Sequence, residues 1–118
     1  MGAVSGAHAE NPDSGGIAPR PTQYVIISFD GASNLTQWHR SRTLAAAAGA
    51  KFTYFLSCVF TITHQDRHIY RAAGHKAGRS NVGFAGSVED IAARLGEIWA
   101  ARADGHEIGS HACGHFDG

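Results

Sequence analysis

A chain of 118 residues, 43% hydrophobic and 17% charged, has room for one small folded domain, and this composition excludes wholesale disorder. Ten basic and ten acidic residues cancel, so no nucleic-acid surface or acidic membrane is implied as partner. No stretch approaches the ~20 apolar residues of a membrane-spanning helix. Histidine is over-used, with eight copies, and it is both the commonest metal ligand and a general acid or base.

Residues 1–22 hold Gly, Ser, Asn and all three prolines (Pro12, Pro19, Pro21) and read as a disordered leader. Within it, Ala7-His8-Ala9 has the small-x-small form of a signal-peptidase site, without the charged and apolar regions that precede one. It reads either as the remnant of an export signal, giving a secreted or periplasmic protein, or as a flexible leader. Residues 23–118 read as a partial α/β domain. Tyr24 to Phe29 (Y-V-I-I-S-F) is a continuous apolar run, as in a strand buried on both faces of a parallel sheet, and it stops at Asp30-Gly31.

A helix follows, capped by Ser33 or Asn34, carrying Leu35, Trp38 and Ala45 to Ala48, and stopped by Gly49. Lys51 to Phe60 is predicted as a second buried strand and residues 61–86 as a long loop. Ser87 caps a second helix that sets Ile91, Leu95, Ile98 and Trp99 on one face; Gly105 ends it, and His106 to Gly109 forms a third strand. Strand, helix, strand, helix, strand implies parallel strands joined by right-handed crossovers. Functional groups of such folds gather at the C-terminal strand ends. Asp30 ends the first strand and His111 follows the third, so both fall on one edge.

At a strand end, Asp30 suits a general base or a hard metal ligand, although Asp-Gly is also a common turn pair. His111 and His115 are four apart, a spacing that lets two imidazoles on a helical turn grip one ion. With this many histidines, chance alone supplies about 0.5 such pairs per chain, and His64 and His68 have the same spacing in the loop. Context favours His111 and His115, which share the Asp30 edge. Cys113 lies between them and points elsewhere if both imidazoles face an ion. Cys58 and Cys113 match no zinc knuckle and are too few for a disulfide scaffold; a single bridge between them would require an oxidising compartment. Trp38 and Trp99 read as core, His39, His75 and His106 as solvated or structural. Arg67, Arg71, Lys76 and Arg79 read as a solvated surface rather than an anion site.

Three stretches together resemble the polysaccharide deacetylase family (NodB homology, carbohydrate esterase family four), which removes acetyl groups from chitin-like and peptidoglycan-like sugars. Y-V-I-I-S-F-D-G looks like its first motif, an apolar strand ending Thr-Phe-Asp-Asp. G-A-K-F-T-Y-F-L, residues 49–56, is similar to its second-strand signature. G-H-E-I-G-S-H-A-C-G-H, residues 105–115, resembles its His-x-x-x-His motif over eleven positions.

The resemblance implies the N-terminal portion of a distorted (β/α) barrel with parallel strands, incomplete in this chain, whose further motifs would lie beyond Gly118. It implies a metal-dependent hydrolase removing N- or O-acetyl groups from an acetylated polysaccharide or oligosaccharide. A divalent metal, usually zinc, would be held by His111 and His115, with Asp30 as general base on the attacking water. Gly31 stands where the family has a second, metal-binding Asp. A third ligand would then be Asp30 itself or another residue such as Asp117, and little activity is expected of this chain alone. Ser28-Phe29-Asp30-Gly31 also looks like the metal-binding start of nucleotide phosphodiesterases. A further reading is a non-catalytic carbohydrate- or metal-binding remnant.

Overall fold

The computed structural model describes residues 16–31 and 33–117. Three parallel strands, β1 (Ser28–Phe29), β2 (Thr53–Leu56) and β3 (Glu107–Ser110), form a sheet in the order β1-β2-β3. Helix α1 (Leu35–Ala48) connects the first two strands, and helix α2 (Val88–Ala103) precedes β3. Ser28 is in register with Thr53, and Thr53 to Leu56 run beside Glu107 to Ser110. The chain is thus a mixed α/β fold. Of the predicted leader, residues 1–15 lie outside the described residues, and residues 16–22 are exposed and irregular.

Local chemistry sets the helix ends. The Asn34 side chain accepts the Gln37 N–H at 3.1 Å. Gly49 (φ +63°) returns its N–H to the last carbonyls of α1, in a left-handed cap that costs glycine least. On α2, Ser87 Oγ accepts the Asp90 N–H at 3.0 Å, while Glu89 and Asp90 in the first turn and Arg102 in the last complement the helix dipole.

The core lies between the sheet and the helices, with Trp38, Ala45, Phe52, Tyr54 and Ala101 buried. Trp38, Ser41 and Ala45 share one face of α1. Trp38 stacks on Tyr54 at 4.3 Å between ring centroids, and Phe29 stacks on the same tyrosine at 5.3 Å. Each such pair adds about 0.5–1.5 kcal/mol beyond the area buried. Ser41 Oγ lies 2.7 Å from Tyr54 Oη, so the buried phenol keeps a hydrogen-bond partner. Arg42 on α1 pairs with Glu97 and Asp104, each at 2.8 Å, and clips the two helices together.

Several predicted features differ. Tyr24, Val25 and Ile26 are 87%, 82% and 87% exposed rather than buried, and only Ser28 and Phe29 are strand. A β-branched run is buried only when elements cover it, and Tyr24 to Ile26 lie ahead of β1, outside the sheet. The second strand ends at Leu56. Beyond Ser57, Cys58–Thr61 forms a 3₁₀ turn, closed by the Phe60 N–H to the Ser57 carbonyl and by Thr61 Oγ1 to the Cys58 carbonyl. Val59 and Phe60 are buried nevertheless.

Helix α2 turns a different face inward. Arg94 and Ala101 are buried and Ile98 packs against the core, while Leu95 and Trp99 are exposed, Trp99 by 63%. The Arg94 guanidinium explains the rotation. It donates to the Phe60 carbonyl at 2.9 Å and the Ser33 carbonyl at 3.0 Å, pairs with Asp90 at 3.1 Å, and sits 5.5 Å from the Phe60 ring centroid. A charge so deeply buried is stable only with partners of this kind. β3 begins at Glu107, one residue later than predicted, because His106 is taken out of the ladder: its Nδ1 accepts the Phe52 N–H at 3.1 Å. The 61–86 segment is held in place by a bridge between Thr63 and Ala85 and contains a second 3₁₀ turn, Arg67–Ile69.

Candidate functional site

Three parallel strands in register end on one side of the sheet, and each end delivers one polar side chain: Asp30 after β1, Ser57 after β2 and His111 after β3. The His111 N–H donates to the Leu56 carbonyl at 2.8 Å, which carries the β2–β3 pairing one residue past β3. Asp30 Oδ2 and His111 Nε2 are then 3.7 Å apart. Two ligand atoms at ~2.1 Å from a tetrahedral ion lie roughly 3.4 Å from each other. The Asp30–His111 separation is close to that of atoms sharing one ion.

His115 joins them, its ring centroid 4.6 Å from that of His111. The expected helical turn is absent. Ala112 (φ +35°) and His115 (φ +54°) are both left-handed, and a tight irregular loop brings the imidazoles together instead. Backbone in this region is costly for residues other than glycine and survives where surrounding contacts enforce it.

Such contacts surround the His111–His115 loop. Cys58 and Cys113 form a disulfide with Cα atoms 4.5 Å apart, tying the loop to the segment after β2. Buried Ser57 donates to the His111 carbonyl at 3.0 Å, and its hydroxyl lies 3.5 Å from His111 Nδ1. The Asn81 N–H donates to the Gly114 carbonyl and Asn81 Nδ2 to the His115 carbonyl, both at 2.9 Å. Gly114 is buried so tightly that a Cβ there would lie 2.6 Å from Tyr70 Oη.

The imidazoles and Asp30 open onto a cleft of about 320 Å³, walled by Gly31, Ser33, Phe60 and Val82. Arg94 braces this wall from behind through its bonds to the Ser33 and Phe60 carbonyls. His64 and His68, the competing pair, do not line the cleft, and both are exposed in the loop. Cys113 is consumed by its disulfide and is not a ligand. Asp117 lines a different cleft, beside His75 and Lys76. Gly31 (φ +78°) leaves open space where a Cβ would point. Among the described residues, no three His, Cys, Asp or Glu side chains are grouped closely enough to hold a metal ion.

Sequence reasoning missed Ser57, Asn81 and Arg94. The edge rule that singled out Asp30 and His111 applies equally to the residue after β2 and would have found Ser57. Asn81 carries no such signal, since its role depends on a contact across a long loop. No family model, curated protein or solved structure matches the chain.

Proposed function

We propose that this chain contributes the metal-binding half of a hydrolase site that removes acetyl groups from a polysaccharide, within a sheet that begins a distorted (β/α) barrel. The observation that carries this reading is the meeting of Asp30 and His111 at 3.7 Å from the first and last strands, with His115 alongside. His111 and His115 would hold a divalent ion such as zinc. Ser57 beside His111 Nδ1 would fix that ring, as groups behind a metal-bound histidine do.

The ion supplies an acidified water and a polarised carbonyl. Asp30, exposed at the cleft mouth, would take the proton of the attacking water, or would have to close on the two imidazoles to take the third place on the ion, not both at once. The cleft opens to solvent, as an acetamide or acetate ester on a long chain requires. The Cys58–Cys113 disulfide supports an exported protein, since such bonds persist in oxidising compartments.

A second reading, a metal- or carbohydrate-binding module without turnover, is favoured by Gly31, which leaves two imidazoles and one carboxylate to do the work of three ligands and a base. One experiment tests the site. The chain is purified with zinc and its metal content measured beside His111→Ala and His64→Ala variants, with acetate release from an N-acetylated oligosaccharide followed in parallel. About one ion per chain, removed by His111→Ala alone, supports the assignment. Loss through His64→Ala alone, or no ion at all, refutes it; an ion with little acetate release is the outcome expected of half a site, and acetate release at an enzyme-like rate would contradict that.

A further inference from the structure

A second cleft, about 710 Å³ in volume, lies between the 74–81 segment and residues 116–117, and nothing in the proposed reaction uses it. Its lining carries two cations, Lys76 and Arg79, and one acid, Asp117. Lys76 and Arg79 have no ion pair and no hydrogen bond to a carboxylate among the described residues. The neighbouring Arg67 and Arg71 differ, each donating to a backbone carbonyl, of His64 and His75 respectively. His75 stacks on Phe116 at 3.7 Å and 13° between planes, giving the cleft a flat wall. The segment is ordered, closed by the Gly78 N–H to the Tyr70 carbonyl at 2.8 Å and the His75 N–H to the Ala72 carbonyl at 3.1 Å.

Chain neighbours line the two clefts. Asn81 lines the basic cleft and Val82 the first; Phe116 lines the basic cleft and His115 the first. Ser80 and Asn81 bind the Gly114 carbonyl, and Asn81 also holds the His115 carbonyl, so the two linings are stitched together. A ligand that reaches the imidazoles and extends into the basic cleft meets two cations against one acid.

From this we infer that the basic cleft is an anion subsite, and that the glycan bound here carries a carboxylate on a sugar near the acetylated one. The inference deepens the reaction proposed above and rests on that reading for the position of the acetylated sugar. Lys76 and Arg79 are exposed, but cations gathered along one concave surface attract a carboxylate more strongly than scattered charges do, and the attraction weakens with salt.

The test uses one N-acetylated oligosaccharide with alternating uronic acid units and its methyl ester, which removes the charge and adds one methyl group per acid. Binding to the full chain is measured by calorimetry at low and at high salt, for the natural protein and for K76Q/R79Q. Two surface-type ion pairs predict that the acid binds about tenfold more tightly than the ester at low salt. The gap should narrow at high salt and close in K76Q/R79Q. Equal binding of acid and ester, binding of neither, or a gap that persists in K76Q/R79Q overturns the inference. Zinc content and acetate release are read on the same samples. A charge-dependent gap without bound zinc keeps the anion subsite and sinks the metal site proposed above, whereas zinc with equal binding does the reverse.

Discussion

Gly31→Asp puts the site to a direct test, because it restores a carboxylate at the cleft wall where the resemblance places a metal ligand. Gly31 lines the cleft, and a Cβ there meets nothing within 4 Å, so the cost is backbone conformation and not crowding. At φ +78° an L-residue loses about 1–2 kcal/mol, with Asp at the lower end because it tolerates the left-handed region. Metal-free G31D should therefore melt about 4–8 °C below the natural protein, the shift for ~1 kcal/mol in a domain of this size.

Suppose the new carboxylate tightens zinc binding about tenfold. Zinc at a hundred times the Kd of the variant then stabilises it by about 2.7 kcal/mol, and the natural protein by about 1.4 kcal/mol. The zinc-induced rise in Tm should be roughly 5–10 °C larger in G31D. The assay is thermal unfolding with and without zinc, with Gly31→Ala as the control that carries the backbone cost and no ligand. Equal zinc-induced shifts in G31D and G31A would refute the placement of the ion beside Gly31.

The Cys58–Cys113 disulfide closes a loop of 55 residues, for which chain entropy gives about 4 kcal/mol of stabilisation. C58S/C113S, or the natural protein reduced with its thiols titrated, should lose on the order of 20 °C in Tm and bind zinc more weakly; an unchanged melt would sever the loop from stability. His106 gives a pH dependence. Burial, and then the nearby Lys51 cation, hold its imidazole below the ordinary value, and its Nδ1 must stay unprotonated to accept the Phe52 N–H. The unfolded chain takes up that proton more readily, so the contribution is whole above about pH 6.5 and is lost progressively as pH falls below it through the lowered folded value. Denaturant midpoints for the natural protein and His106→Asn should converge toward pH 5, and parallel curves would disprove the coupling.

Much of the fold was legible because caps and strand ends are local chemistry. Asn34, Gly49, Ser87 and Gly105 mark helix boundaries through hydrogen bonds and backbone angles that involve only near neighbours. The parallel order and the meeting of Asp30 with His111 follow from alternation of strands and helices. Burial was less legible, since it depends on what covers a residue from elsewhere in the chain. Tyr24 to Ile26 have the composition of an interior strand but lie ahead of β1, outside the sheet. Trp99 yields its inward place to Arg94, whose partners Ser33 and Phe60 belong to other elements. The His111–His115 loop was misread as helical because four-residue spacing does not distinguish a helical turn from a left-handed loop pinned by a disulfide. The basic cleft was invisible for a related reason: its two walls are far apart in the chain.

Asp30 and His111 stand on strands that are each hydrogen-bonded to β2 and not to one another. The cleft is therefore absent from any partly folded state that lacks either flank of the sheet. Closing the chain from β1 to β3 is an entropic cost that the helices and β2 must offset before an ion gains anything. On the reading proposed above, metal capture would belong to the end of folding, and a bound ion would mark molecules that have completed it.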